Sequence, residues 1–258
     1  MKILIFPLLI ISQIIFSQAG FLKLGNNING EAVGDESGIS VGINSFGNRI
    51  AIGGYKNDGN GSNSGHVRIY EDIGGNWIQI GTDIDGETMS DKFGKSVDMN
   101  SLGDRVVVGA WFAASASLPI GSGQISCYEF TNGSWNQLGN YINGEATFDY
   151  FGISSAINAS GNIIAGGAYH NDGINGYNSG HVRVFQYNNG VWTQLGNDID
   201  GEAPDDRCGW SVALNNSGYR VAVGSPQNDG NGSNSGSARV YDWNGTSWSQ
   251  VGSDINGE

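Results

Sequence analysis

One unit of about 57 residues, written four times with part of a fifth, constrains this chain more than any single residue does. Each copy opens on an aromatic residue, Phe21, Trp77, Trp135, Trp192 and then Trp248, at intervals of 56 to 58 residues. A spacing that varies by one or two positions is expected when every copy fills the same structural slot. The copies run over about 21–76, 77–134, 135–191 and 192–247, with a partial copy over 248–258.

Within the fourth copy, Ser211 to Leu214, Arg220 to Gly224 and Ala238 to Tyr241 are short apolar-leaning runs, and WSQVG from Trp248 supplies another. The separators NNSG, SPQNDGNGSNSG and DWNGTS carry the glycine and asparagine that tolerate positive φ, so each can reverse the chain. Short strands joined in order by hairpins form an antiparallel four-stranded meander. Meanders in even series predict an all-β fold, a β-propeller whose blades bury both faces against their neighbours. Glycine is abundant at 43 residues and proline scarce at 4, which fits many tight turns and excludes a collagen-like or proline-rich chain.

The segments FGKSV (Phe93 to Val97), FGISS (Phe151 to Ser155), GHVRVF (Gly180 to Phe185) and VAVGSP (Val221 to Pro226) resemble the FG-GAP repeats of integrin alpha-chain propellers. With WxQLGxDIDGEA, the chain is most similar to secreted bacterial envelope proteins built from such repeats. The resemblance spans Phe21 to Glu258 and implies four blades and one extra strand of a larger ring. Integrin-type repeats hold calcium in an acidic loop between the first two strands. Here NSFGNR, NSLGDR, NASGN and NNSGYR stand in its place, too short and too poor in carboxylates, so no calcium is expected at that position. Ser37 and Cys208 replace the phenylalanine in the first and fourth copies.

Residues 1–19 read as a secretory signal peptide, cleaved after Ser17 or Ala19; the apolar run is shorter than the ~20 residues that span a membrane. The remaining 20–258 is then secreted or displayed at the cell surface. A net charge of −13 disfavours nucleic acid and anionic membranes as partners, and leaves divalent cations and glycans open. Cys127 and Cys208 fall where other copies carry core residues, Val184 and Val240 for one and Phe93 and Phe151 for the other. They read as buried substitutions rather than a disulfide.

The acidic element NINGE/DIDGE recurs, followed four residues after its glutamate by Asp35, Asp91, Asp149 or Asp206. Two quartets, Asp83, Asp85, Glu87 and Asp91 and then Asp198, Asp200, Glu202 and Asp206, offer oxygen ligands to calcium away from the usual loop. Capping of the inter-blade turn is the favoured alternative. The loops NDGNGSNSG and NDGINGYNSG lie between second and third strands on one rim. Asn57, Asp58, Asn60, Asn171, Asp172, Asn228, Asp229 and Asn231 are the binding-loop candidates there, with a solvated connection as the alternative.

His66 and His181 share one slot, held by Gln124 and Ser237 elsewhere, and sequence spacing offers neither a metal-binding partner. The tryptophans before QLG are expected to pack between blades rather than stack on sugars. Asp98 and Asp104 are the only carboxylates near a first strand, and no catalytic constellation or cofactor motif appears. The expected function is a binding or adhesion module for a protein or glycan ligand at the cell surface. A carbohydrate-active hydrolytic propeller is the alternative. An unclosed sheet edge adds a route to association.

Overall fold

The computed structural model describes residues 23–114 and 119–258. The expected signal peptide and its cleavage site lie outside the described residues. All twenty elements are β-strands, arranged as four sheets. The first contains β1 (Ser40–Ile43), β2 (Arg49–Gly54), β3 (His66–Asp72), β4 (Trp77–Gln79) and β5 (Ile84–Asp85). The second contains β6 (Phe93–Met99), β7 (Arg105–Ala110), β8 (Gln124–Thr131), β9 (Ser134–Gln137) and β10 (Ile142–Asn143). The third contains β11 (Ser154–Ile157), β12 (Ile163–Ala168), β13 (His181–Asn188), β14 (Val191–Gln194) and β15 (Ile199–Asp200). The fourth contains β16 (Ser211–Leu214), β17 (Arg220–Ser225), β18 (Ser237–Trp243), β19 (Trp248–Gln250) and β20 (Ile255–Asn256).

Every pairing among these strands is antiparallel, and each sheet is a propeller blade whose outer strand is broken in two. In blade one, β4 pairs with Tyr70 to Asp72 and β5 with His66 and Val67, both along one edge of β3. The expected meander is therefore present. The count needs one correction: Trp248–Gln250 and Ile255–Asn256 are no surplus strand, because they pair with β18 and complete the fourth blade.

Alternation along the middle strands buries both sheet faces. Val106 and Val108 face a core shared with blade one, while Val107 between them faces a core shared with blade three. A third core joins blades three and four, and no core cluster among the described residues joins the fourth blade to the first. The consequence shows at one slot. Ile84, Ile142 and Ile199 are 6%, 5% and 4% exposed beneath the following blade, whereas Ile255 is 64% exposed.

The first two blade contacts are each made by a phenylalanine–glycine pair. Phe93 and Phe151 bury fully against the preceding sheet, and their backbone N–H groups donate to the carbonyls of Ser64 and Ser122. Gly94, at φ 84°, turns its carbonyl onto Gly53 of blade one, where a Cβ would stand 2.1 Å from that oxygen. Only glycine on both sides permits this approach.

Cys208 takes the phenylalanine slot in blade four, and both cysteines are free and buried in the core. The tryptophans act between blades: the indole N–H groups of Trp135, Trp192 and Trp248 donate to the carbonyls of Ile80, Leu138 and Leu195 on the preceding outer strand.

Candidate functional site

The short turns between first and second strands are held by one asparagine each, buried in the first three blades and exposed as Asn215 in the fourth. Asn44 Oδ1 accepts from the N–H groups of Asn48 and Arg49, Asn100 Oδ1 from Asp104 and Arg105, and Asn158 Oδ1 from Asn162 and Ile163. Side-chain capping of the backbone thus fills the place of an acidic ion-binding loop.

The rim loops that follow the second strands use their repeated polar residues internally. Asn57, Asn171 and Asn228 are buried; their Oδ1 atoms accept from Gly59, Gly173 and Gly230. Their amides donate to the carboxylates of Asp35, Asp149 and Asp206. Asp58, Asp172 and Asp229 accept from the backbone N–H of Asn63, Asn178 and Asn234. Asn60 and Asn231 donate to the carbonyls of Gly86 and Gly257. All eight candidates make bonds within the loops; Asn57, Asn171 and Asn228 are buried, while Asp58, Asn60, Asp172, Asp229 and Asn231 stay exposed at the rim beside Ile174 and Tyr177.

The acidic quartets are divided between blades. Asp91 and Asp206 cap the turn, accepting from the N–H groups of Thr88 and Ala203. Burial raises the Asp91 carboxyl above its ordinary pKa, while its bonds to Thr88 oppose that shift. Glu87 accepts the Tyr141 hydroxyl at 2.6 Å, and Glu202 lies 3.4 Å from Arg239. Asp85 and Asp200 sit in register opposite His66 and His181, and burial raises both carboxyls.

The leading aspartates have different company. Asp83 joins Glu31 and His66, and Asp198 joins Glu145 and His181. Among the described residues these are the groups of ligating side chains whose atoms lie within 4.8 Å of one another. Sequence spacing missed them because the glutamate comes from the preceding copy. Strand register places the histidine opposite the second aspartate of DID, Asp85 or Asp200, two residues from the clustered Asp83 or Asp198; in blades two and four Gln124 faces Asn143 and Ser237 faces Asn256.

A second feature lies where the second strands end and the first strands begin. Tyr55, Trp111 and Tyr169 follow β2, β7 and β12, while Lys92, Tyr150 and Arg207 immediately precede the phenylalanine slot. Together they make one continuous band. Lys92 Nζ lies 5.5 Å from the Tyr55 ring and 5.8 Å from Trp111, and Lys95 is 5.1 Å from Tyr55. Trp111 meets Tyr150 edge-on at 4.8 Å, Tyr150 stacks on Tyr169 at 5.7 Å, and Tyr169 meets the half-exposed Trp210 at 4.8 Å.

The band also gathers cations. Among the described residues Lys92, Lys95 and Arg207 have no carboxylate within 4 Å, whereas Arg49, Arg105 and Arg220 are paired with Glu71, Glu129 and Asp242. Beside the band is a cavity of about 490 Å³ lined by Phe148, His170, Tyr177, Glu145, Asp149 and Asp172. Burial and the nearby Arg207 lower the His170 pKa, and burial raises Glu145 and Asp149. Asp98, by contrast, accepts from the N–H of Ile157 and of Met99, and Asp104 accepts from Asn100.

Residues 199–241, from β15 to β18, match the FG-GAP repeat family. The chain carries an FG-GAP repeat. Its Cys208-Gly209 pair packs on blade three as Phe93-Gly94 and Phe151-Gly152 pack on blades one and two. No protein of curated function matches the sequence. Among solved structures, a candidate 6-phosphogluconolactonase from Bacteroides uniformis is similar, with a TM-score of 0.56 at 12% identity over 84% of this chain and 56% of that one. The hydrazine synthase of Kuenenia stuttgartiensis matches with a TM-score of 0.50 at 11% identity over 82% and 53%. The chain spans about half the length of these structures, and the likeness concerns the β-propeller-like fold alone.

Proposed function

We propose that this FG-GAP propeller is a recognition module, exported or displayed at the cell surface, that holds a glycan or protein ligand on its aromatic and cationic band. One observation carries the reading: the cations without a carboxylate partner at this face stand over or beside aromatic rings that touch in series from Trp111 to Trp210, with Lys92 bridging Trp111 to Tyr55 of blade one. Aromatic faces stack on the apolar faces of sugars and side chains, and the cations attract a carboxylate. At −13 the whole chain repels polyanions, but such repulsion is screened beyond about 8 Å at physiological salt, so a local band of positive charge decides which group docks.

The hydrolytic alternative is favoured by the cavity beside His170 and by the name of one structural neighbour. Against it, Asp149 is engaged by Ala146 and Asn171, and Glu145 by Arg183. A glycan array probed with the purified chain, with hydrolysis followed on every hit, separates the two readings. Binding of uronate- or sialate-bearing glycans that is lost in Tyr150→Ala and Lys92→Ala supports recognition. Turnover that survives those variants and is lost in His170→Gln supports the enzyme. Binding unaffected by either band variant overturns the reading.

A further inference from the structure

We propose that the chain holds two first-row divalent cations, zinc foremost, one at Glu31, His66 and Asp83 and one at Glu145, His181 and Asp198. The distances are those of ligands around an ion. His66 Nδ1 stands 3.3 Å from Asp83 Oδ2 and 3.7 Å from Glu31 Oε2, and His181 Nδ1 stands 3.4 Å from Asp198 Oδ2. Two ligands each bound at about 2.0–2.1 Å to a tetrahedral zinc are about 3.3–3.4 Å apart. A charge-assisted N–H···O bond would draw the same atoms to about 2.7–2.9 Å.

Burial supplies an independent argument. Both imidazoles are 1% exposed; neither ring nitrogen of His66 has a hydrogen-bond partner, nor has Nε2 of His181. Buried polar nitrogens without partners are rare, and His66 Nδ1 is aimed at two carboxylates, while His181 Nδ1 faces Asp198 with Glu145 completing the group. Arg68 approaches Glu31 Oε1 at 3.6 Å and leaves Oε2 to the histidine, and Arg183 lies 3.4 Å from Glu145 Oε1. The glutamate side chains, about half exposed, give the ion a way in.

The repeat provides its own comparison. Blade two has Gln124, Tyr141 and Asn143 at these positions, and its corner is closed by the Tyr141 hydroxyl on Glu87 without a histidine. Blade four keeps Glu202 and Asp254 but has Ser237 in place of histidine. At this slot histidine occurs only where both aspartates of DID are kept. One nitrogen with two or three oxygens suits zinc-class ions, whereas calcium takes about six to eight oxygens.

The test is metal uptake by the chelator-stripped full chain, titrated with zinc chloride alone and followed by equilibrium dialysis and calorimetry. Two zinc ions per chain are expected. His66→Gln should retain one, and the His66→Gln/His181→Gln double variant none. Gln124 already occupies this slot in blade two, so these variants are built to fold. Glu31→Gln/Glu145→Gln, at exposed side chains, should weaken uptake at least ten-fold, and His170→Gln should leave it unchanged. Cobalt in place of zinc should give tetrahedral d–d absorption that the double variant lacks. Zinc uptake undiminished in the double variant, an absence of saturable uptake, or calcium uptake of equal stoichiometry that ignores the histidines would each overturn the proposal.

Discussion

The Ser96 hydroxyl of blade two donates to the Gly152 carbonyl of blade three at 2.9 Å. The same bond joins Ser40 to Gly94 and Ser154 to Gly209. It can form only because Gly109, beside Ser96, lets that carbonyl approach to 2.0 Å from where a Cβ would stand. Gly109→Ala must therefore push two blades apart. A loss of about 1–3 kcal/mol or more is expected in chemical denaturation, with a smaller loss for Gly224→Ala, whose added Cβ would press only on Ser211. Equal losses at both positions would contradict this account of the blade contact.

Cys127 and Cys208 should be inert in the native chain. Burial raises the first thiol to about 12 and the second to about 11, so almost no thiolate exists at neutral pH. Alkylation by iodoacetamide should be undetectable over hours in buffer and complete in denaturant. Modification of either thiol without unfolding would show that the core opens locally.

Acid should weaken the fold through His181. Its folded pKa lies below its ordinary 6.5, depressed by burial first and by Arg183 second, with Asp198 opposing. In the window below 6.5 the unfolded chain therefore binds the proton and the folded chain does not, so stability falls as pH drops toward the folded pKa. Glu145 and Asp200, raised by burial, titrate with the opposite sign. Stability measured against pH for the parent chain minus that for His181→Gln isolates the histidine. A difference that is flat from pH 7 to pH 5 would show no depressed pKa.

Ligand capture on the band should depend on salt. Lys92, Lys95 and Arg207 carry its charge, and attraction to a carboxylate weakens as the Debye length shortens from about 10 Å at 0.1 M to about 3 Å at 1 M. Affinity for an acidic glycan should drop several-fold over that range, and Lys92→Gln should flatten the dependence. A salt-independent affinity would place recognition elsewhere.

Exposed apolar faces at both ends of the arc should drive association. Val41 and Ile43 on β1 and Ile255 on β20 are each more than half exposed, and their counterparts Val97, Met99 and Ile199 are buried between blades. Sedimentation over a rising concentration series should show head-to-tail oligomers, reduced by Ile255→Asp. A monomer at every concentration would count against this.

The fold was legible because glycine and phenylalanine recur in register, and a period of about 57 residues leaves few ways to pack a chain. Ser211–Leu214 and the strands after it follow from local alternation and turn chemistry, which are properties of neighbouring residues. The site was less legible because its parts belong to different copies. Asp83 meets Glu31 across more than fifty positions, so a motif scan saw the quartet from Asp83 to Asp91, whereas the sheet register sorts that quartet into a ligating corner, a tyrosine partner and a cap. Asn57, Asn171 and Asn228 recur in the sequence as ligand donors would, and the same recurrence gives each loop the same internal bonds, which residue spacing alone does not reveal. The band escaped notice for the opposite reason: Tyr55, Trp111 and Tyr169 differ in identity and share only a position.

Phe151 donates its backbone N–H to Ser122 and buries its ring in the sheet that precedes it, so blade two is roofed by residues synthesised after it. Growth of the chain from its N-terminus therefore sets an order of maturation: every sheet waits with one greasy wall open until its successor's first residues emerge. A pause or truncation between blades would leave that wall bare, and chaperone demand should rise in step with the number of walls rather than with chain length.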